Sequence, residues 1–523
     1  MDNLQHLPLG YSSLQEIIKH NAAYVDKTHL LTKLVNEGKY YFLSRPRRFG
    51  KTLTVDTLKQ LFLGNQKLFK GTYAEKHWDW GAQFPVIHFS FGGSKGFESQ
   101  KALLDIIENT LEEHAKAHDI TLPKREFGVQ FHALIRALKL KYNQHVVVLV
   151  DEYDKPILDV INQTDEAIVN REILKGLYSV IKDNDAYLRF VFVTGVTKFS
   201  KVSLFSGLNN LDDIGFMPQY AEICGYTQAE LEVYFKDYLQ GVDKVKLKQW
   251  YNGFNFSGNP DHSVYNPYDI LLFFRHNKEF DNYWFRTGTP SFLIKLLKQG
   301  QYNVPSFEHC LVSKDMLNNI DINDLPLETV LFQTGYLTIK EKAYIGTQLA
   351  FVLTYPNMEV KAALNAEISR IGVESYHNNR NKNNLYQALL KDDWVFFESC
   401  IKSLFSAIPH DWYRNNPIQN YEGHYCAVIY SYFTALGMQT AAENATSMGK
   451  IDMSIIVPDN KVILFEFKVS HGNNVAKAAL QQIIDRDYKQ KFLSLNLPIY
   501  EIGISFDQDT RSINGFELNR SEA

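Results

Sequence analysis

The sequence predicts an α/β fold, and two stretches in its first third carry that prediction. Residues 40–43 form a short apolar run, which is typical of a buried strand. Apolar side chains then recur at helical spacing, at Leu53, Val55, Leu58, Leu61 and Phe62. Residues 146–150 form an unbroken, mostly β-branched run, which is typical of a strand buried on both faces of a sheet.

The loop between the first strand and its helix has the composition of a phosphate-binding loop. Pro46 and Gly50 interrupt regular structure there, and Gly50-Lys51-Thr52 stands where the helix begins. Free N–H groups and the positive helix end favour an anion at that point. We expect Lys51 to reach the outer phosphates of a nucleotide and the Thr52 hydroxyl to hold Mg²⁺. The usual pattern has glycine where this chain has Arg45, so a basic surface loop is the alternative interpretation.

Carboxylates follow the second apolar run. Asp151 and Glu152 stand at the end of that strand, where ligands bind in open α/β sheets. We expect Asp151 to hold Mg²⁺ directly or through water, and Glu152 to orient or deprotonate an attacking water. A further strand at residues 188–193 ends at Thr194, which is a candidate for sensing the outer phosphate. The alternatives are an acidic loop and a simple turn.

Composition limits the class of protein. The 523 residues carry a net charge of −4, with 45% apolar and 22% charged residues, which is ordinary for a globular protein. This charge gives no whole-molecule attraction to nucleic acid, so such binding needs a local basic patch. The four cysteines include no C-x-x-C pair, so neither zinc nor a disulfide framework is expected. No signal peptide and no membrane-length apolar run is present, which predicts a cytoplasmic protein with no membrane partner.

A second group of charged residues lies in a predicted β-hairpin near the C-terminus. Two apolar runs flank a Pro-Asp-Asn turn at residues 458–460. Glu466 and Lys468 share one face of the second strand because side chains alternate along a strand, and Asp452 lies on the first strand. Two carboxylates beside an ammonium favour Mg²⁺ or Mn²⁺, since these ions prefer hard oxygen ligands.

Such a site suits hydrolysis of a phosphodiester, which requires an activated water and a Lewis acid on the phosphoryl oxygens. We expect Asp452 and Glu466 to hold the metal, with the Phe467 carbonyl as a further ligand. Lys468 would position the nucleophile or stabilise charge in the transition state. Glu422, near the start of a predicted helix, is a candidate for binding the metal through water. The alternatives are a fold retained without catalysis and an ion pair on an edge hairpin.

Several phrases of the sequence resemble a known family. The phrases similar to the bacterial AAA-ATPase-like proteins are RPRRFGKT at residues 45–52, VDEYDKPI at 150–157 and VTGVTKFSKVSLFSGLNNLDD at 193–213. Later matches are at residues 250–253, 264–268 and 287–292. The family also has arginine at the position of Arg45, so the departure from the usual loop is a family trait.

The resemblance implies an N-terminal P-loop NTPase domain of the AAA type, a helical middle or lid region, and a C-terminal restriction-endonuclease-like α/β domain of the PD-(D/E)XK superfamily. We place these domains at residues 1–215, 216–400 and 401–523. A helix running into a hairpin is expected at residues 331–355, as in a winged-helix-like lid or a helical linker. Residues 378–384 are polar, and we expect a surface loop there.

The family's nuclease residues fall on Asp452, Glu466, Lys468 and Gln482, the last of these on a helix expected at residues 476–492. The combined expectation is ATP-controlled cleavage of DNA or RNA, in defence or repair, with ATP and Mg²⁺ or Mn²⁺ as cofactors. Basic residues near Lys468 are the expected nucleic-acid contact, namely Arg486, Lys489 and Lys491. The competing hypothesis is an ATP-dependent switch or scaffold that binds nucleic acid or protein through an inactive nuclease fold. The sequence leaves a homo-oligomer open.

Overall fold

The computed structural model describes residues 5–93, 97, 99–198, 210–284, 293, 296–297, 304–318, 320–322, 325–369, 375–406, 422–446, 449–510 and 512–521. Contacts divide the chain into two compact units, Met1–Leu293 with His309–Asn357, and Ile294–Glu308 with Met358–Ala523. The predicted middle region is divided between these two units. The three-domain division stays a prediction.

A parallel five-stranded sheet forms the centre of the first unit, in the order β2-β3-β4-β1-β5. Its strands are β1 (Tyr40–Ser44), β2 (Val86–Ser90), β3 (Val146–Asp151), β4 (Leu188–Gly195) and β5 (Asp212–Asp213). Every residue of β1 and β3 is buried, as expected for strands of a parallel sheet that helices cover. The strands predicted at residues 40–43, 146–150 and 188–193 are confirmed.

The first unit also contains α-helices. They are α1 (Leu14–Lys19), α2 (Thr28–Glu37), α3 (Lys51–Phe62), α4 (Ala74–His77), α5 (Gln100–Ala117), α6 (Phe127–Tyr142), α7 (Lys155–Leu158), α8 (Thr164–Asp183), α9 (Gln228–Tyr234), α10 (Lys244–Tyr251) and α11 (Pro267–Arg275). Of these, α3 packs on β3 and β4, which fixes the start of α3 beside the ends of both strands.

A smaller antiparallel sheet completes the first unit, in the order β6-β8-β7. Its elements are β6 (Cys310–Ser313), α12 (Lys314–Asn318), α13 (Leu327–Thr334), β7 (Thr338–Ile345) and β8 (Gln348–Thr354). The predicted helix running into a hairpin is confirmed by α13, β7 and β8. The winged-helix-like assignment stays a prediction.

The second unit has a mixed sheet of five strands, in the order β13-β12-β11-β10-β9. Its elements are α14 (Met358–Ile368), α15 (Ser375–Leu390), α16 (Trp394–Ser406), α17 (Glu422–Ala435), β9 (Gln439–Thr446), β10 (Gly449–Val457), β11 (Lys461–Ser470), α18 (Ala476–Asp485), β12 (Ile499–Asp507) and β13 (Ser512–Ser521). The predicted hairpin is confirmed, because β10 and β11 pair antiparallel. The helix α18 packs on β11 and β12.

Two local predictions are wrong. The polar residues 378–384 lie within α15 and form no loop, because buried side chains recur there at helical spacing, at Lys382, Leu385, Ala388 and Leu389. The helix expected at residues 476–492 is shorter. It ends at Asp485, and Asp487 in the left-handed conformation (φ 44°) separates it from a 3₁₀ helix, Tyr488–Leu495.

Some predicted features lie outside the described residues, namely residues 199–209 of the third resembling phrase and residues 287–292. None of the described helices combines the length and the apolar composition that a membrane span requires.

Candidate nucleotide and metal-ion sites

The predicted phosphate-binding loop, residues 45–50, connects β1 to α3 and is called the phosphate loop below. Gly50 precedes α3 in the left-handed conformation (φ 91°), which glycine adopts without strain. The buried Lys51 Nζ donates hydrogen bonds to the carbonyls of Arg45 and Pro46, both at 2.9 Å. Burial lowers the pKa of Lys51, and the negative charge of Glu152 partly offsets this effect. The loop's own carbonyls therefore hold the ammonium that we expect to contact phosphate.

Arg45, which replaces the usual glycine, ties the loop to a distant part of the chain. Its Nη atoms donate to four backbone carbonyls at 2.9–3.4 Å, those of Ser44, Gly215, Tyr220 and Ala221. Its guanidinium also lies 4.1 Å from the centre of the Phe256 ring. The side chain is 1% exposed, and burial lowers its pKa to about 10. Arg45 is therefore an internal support of the loop.

A cavity of about 590 Å³ opens beside the loop. The charged and polar part of its lining includes Arg47, Arg48, Lys51, Thr52 and Glu152. The aromatic and aliphatic part includes Pro8, Tyr11, Tyr24, Tyr268 and Leu271. This volume and this mixture of side chains are those of a small-ligand site.

The carboxylates that follow β3 have different surroundings. Asp151 is buried and accepts a hydrogen bond from the Thr194 hydroxyl at 2.6 Å. Glu152 is less buried, has a left-handed backbone (φ 55°), and lines the cavity. Burial raises the pKa of Glu152, and the positive charge of Lys51 opposes this effect. Glu152 is one of the described residues that line the cavity, whereas Asp151 and Thr194 are not. Asp151 and Thr194, which are hydrogen-bonded to each other, therefore lie back from the cavity surface.

Asp154, which the sequence analysis did not select, is a structural link between β3 and β4. Its carboxylate accepts hydrogen bonds from the Val196 and Thr197 amides and from the Thr197 hydroxyl, at 2.6–3.2 Å. Burial raises the pKa of Asp154. The signal in the sequence was its position three residues after Asp151, on the turn that leaves the strand.

The second predicted site lies on the hairpin of the second unit. Asp452 Oδ2 accepts a hydrogen bond from the Phe467 amide at 2.8 Å, so the carboxylate of β10 reaches β11. Lys468 Nζ lies 3.6 Å from Glu466 Oε1, and Gln482 Nε2 of α18 donates to the same oxygen. The structure thus brings together four predicted residues from two strands and one helix.

Comparisons with known proteins cover both sites. A family model described as a predicted AAA-ATPase matches residues 8–205, and a model of the PD-(D/E)XK nuclease superfamily matches residues 420–516. A protein of Azotobacter chroococcum mcd 1, described as an uncharacterized protein in the vnfD 5′ region, is 44% identical over 512 residues, which are 98% of each chain. This chain belongs to the AAA-ATPase-like family. Its C-terminal part is a PD-(D/E)XK nuclease-superfamily domain.

The thiol of Cys426 lies beside the hairpin site of the PD-(D/E)XK domain. Cys426 Sγ lies 3.5 Å from the Asp452 carbonyl, and burial raises the pKa of this thiol, with further contributions from Asp452, Glu443 and Glu466. No group of three or more His, Cys, Asp or Glu residues in the described ranges is arranged to hold a metal ion. The side chain of Glu422, at the start of α17, lies outside the described residues. Asp452 and Glu466 stay the predicted ligands of a divalent cation on the hairpin.

Tyr488 is a neighbour of this site that the sequence analysis missed. Its hydroxyl donates a hydrogen bond to the Lys450 carbonyl at 2.7 Å. Burial raises the pKa of Tyr488, and the negative charge of Glu466 raises it further. A tyrosine among polar residues just after a helix gave little signal, because its relation to Glu466 arises only from the packing of α18 on the sheet.

Proposed function

We propose that this AAA-ATPase-like protein binds ATP in the cavity beside the phosphate loop and hydrolyses it. The observation that carries this proposal is the position of Lys51, Thr52 and Glu152 on the polar part of one cavity. The volume of about 590 Å³ suits a nucleotide, and the aromatic and aliphatic part of the lining suits a base.

Each polar group has a distinct task in this proposal. Lys51 exchanges its two carbonyl hydrogen bonds for contacts with the outer phosphates. The Thr52 hydroxyl would hold Mg²⁺ directly, and Asp151, which lies back from the cavity surface, would bind it through water; the ion would neutralise charge on the phosphate oxygens. Glu152 takes the proton of the attacking water, and its raised pKa favours this role because a stronger base accepts a proton more readily. Thr194 keeps Asp151 oriented through its hydrogen bond.

We further propose that the PD-(D/E)XK domain cleaves phosphodiester bonds of DNA or RNA, under the control of ATP. Asp452 and Glu466 hold Mg²⁺ or Mn²⁺, with Glu422 acting through water. The ion supplies Lewis-acid chemistry when it is bound. Lys468, 3.6 Å from Glu466 and 29% exposed, stabilises negative charge that develops on the reacting phosphate. Gln482 orients Glu466 through its hydrogen bond.

One observation supports a second candidate function. The described residues contain only a pair of suitable carboxylates at the hairpin and no cluster of three metal-ligand side chains. The second candidate is an ATP-dependent switch or scaffold, whose inactive nuclease fold binds nucleic acid or protein. Such a protein would need no complete set of metal ligands. Defence and repair are the cellular roles that we consider for either candidate.

The two activities can be tested separately with variants of one residue each. Lys51→Ala should abolish ATP binding in calorimetry, because the cation for the outer phosphates is lost. Asp452→Ala should leave ATP binding intact while Mn²⁺ binding and cleavage are lost, because a hard cation needs charged oxygens. Equal ATP affinity of Lys51→Ala and wild type would refute the nucleotide site.

A further inference from the structure

The end of β2 lies directly beside Glu152. Ser90 is the register partner of Asp151, and the Phe91 amide donates a hydrogen bond to the Asp151 carbonyl at 3.2 Å. Gly92, the next residue along the chain, therefore comes alongside Glu152. Glu152 itself has a left-handed backbone (φ 55°), which is uncommon for a residue other than glycine.

The Glu152 carboxylate occupies space that a side chain at Gly92 would fill. A Cβ added at Gly92 would lie 2.9 Å from Glu152 Oε2 and 3.1 Å from its Cδ. These distances are shorter than ordinary van der Waals contact, so one of the two groups would have to move. Within the described surroundings of Gly92, the nearest atoms all belong to Glu152.

The neighbouring glycine provides a contrast. A Cβ added at Gly93 would meet nothing described within 4 Å. Neither glycine has a φ in the left-handed region, so the backbone of both positions is open to alanine. A requirement for glycine at position 92 therefore comes from the space that Glu152 needs and not from backbone conformation.

We propose that Gly92 is a positioning residue for ATP hydrolysis, because its missing side chain gives the Glu152 carboxylate its place beside the phosphate loop. This inference rests on the proposed function. Gly92 itself carries no reactive group and acts only through Glu152. Its substitution should change the rate of turnover while the nucleotide still binds, since Lys51 and Thr52 on the loop remain in place.

The test compares Gly92→Ala with the matched control Gly93→Ala. Gly92→Ala should lower kcat for ATP hydrolysis about 10- to 100-fold, part of the factor of about 10²–10⁴ that a general base typically contributes. Its dissociation constant for ATP and its melting temperature should stay close to those of wild type. Gly93→Ala should match wild type in all three measurements.

A double-variant cycle separates positioning from a merely structural effect. If Gly92 acts through Glu152, the combination of Gly92→Ala with Glu152→Gln should be no slower than Glu152→Gln alone, because the carboxylate is already absent. If the two substitutions instead lowered kcat independently, so that their factors multiplied in the double variant, the inference would be overturned. Full turnover by Gly92→Ala would also overturn it. Absence of ATP hydrolysis by wild type would instead refute the proposed function, and with it this inference.

Discussion

Replacing Arg45 by glycine would give the phosphate loop its usual residue, yet we expect the change to destabilise the first unit. The guanidinium of Arg45 is buried and donates hydrogen bonds to the carbonyls of Gly215 and Tyr220, which lie 170 and 175 residues further along the chain. Glycine can provide neither the hydrogen bonds nor the contact with Phe256. The loop would then lose its connection to residues 215–221.

The size of the effect follows from the contacts. A hydrogen bond from a charged donor contributes about 1.5–3 kcal/mol net, and a cation–π contact contributes about 0.5–2 kcal/mol. Adding these contributions for the four hydrogen bonds and the contact with Phe256 overestimates the stabilisation. Burying the charge is itself unfavourable, which is also why burial lowers the pKa of Arg45. Arg45→Gly leaves buried carbonyls without their donor, at a cost of about 1–3 kcal/mol for each group that stays unsatisfied, but it also removes the cost of burying the guanidinium. We therefore expect a net loss of about 3–5 kcal/mol for Arg45→Gly.

Urea unfolding monitored by tryptophan fluorescence would measure this difference. The transition of the first unit is the one that should shift to higher urea when ATP is added. Arg47→Gly is a matched control for stability, since Arg47 lies two residues further along the same loop and is exposed. A free energy of unfolding for Arg45→Gly within about 1 kcal/mol of wild type would refute the idea that Arg45 supports the loop, because surface substitutions commonly have effects of that size or smaller.

Three further predictions concern the chemistry of the two sites. Glu152→Gln should bind ATP normally but turn it over about 10²–10⁴-fold more slowly, as single-turnover kinetics would show, and an unchanged rate would remove Glu152 as the base. Lys468→Ala should keep its Mn²⁺ affinity and lose most cleavage, because its charge acts chiefly where negative charge develops; full cleavage would contradict its role. Replacing Arg486, Lys489 and Lys491 with glutamine should weaken nucleic-acid binding. It should also reduce the slope of log affinity against log salt concentration by up to about three, because up to about three phosphate contacts are lost, and an unchanged slope would place the contact elsewhere.

Much of the fold could be predicted because it depends on local patterns. The strand, loop and helix around Gly50 follow from an apolar run, two residues that interrupt structure, and helical spacing. The hairpin that brings Asp452 to β11 follows from two apolar runs and a turn. In both cases a few neighbouring residues carry the whole signal.

The remaining features depend on contacts between distant residues. Arg45 contacts carbonyls 170 to 176 residues away, so the sequence showed only an unexpected arginine in a phosphate loop. Gly92 and Glu152 meet because β2 and β3 pair, and nothing local links them. The sequence of residues 378–384 favours a loop because all of them are hydrophilic, whereas burial of one side of α15 decides their structure.

Cleavage assays with wild type and Asp452→Ala measure whether the hairpin site is a nuclease that ATP controls. Labelled single- and double-stranded DNA and RNA would be incubated with Mg²⁺ or Mn²⁺, with and without ATP. If both sites work as proposed, wild type cleaves at least one of these substrates, the cleavage needs the metal ion and changes with ATP, and Asp452→Ala cleaves none while still binding ATP. Cleavage that survives in Asp452→Ala would show that the hairpin site is not the nuclease, and no cleavage of any substrate by wild type would favour the scaffold.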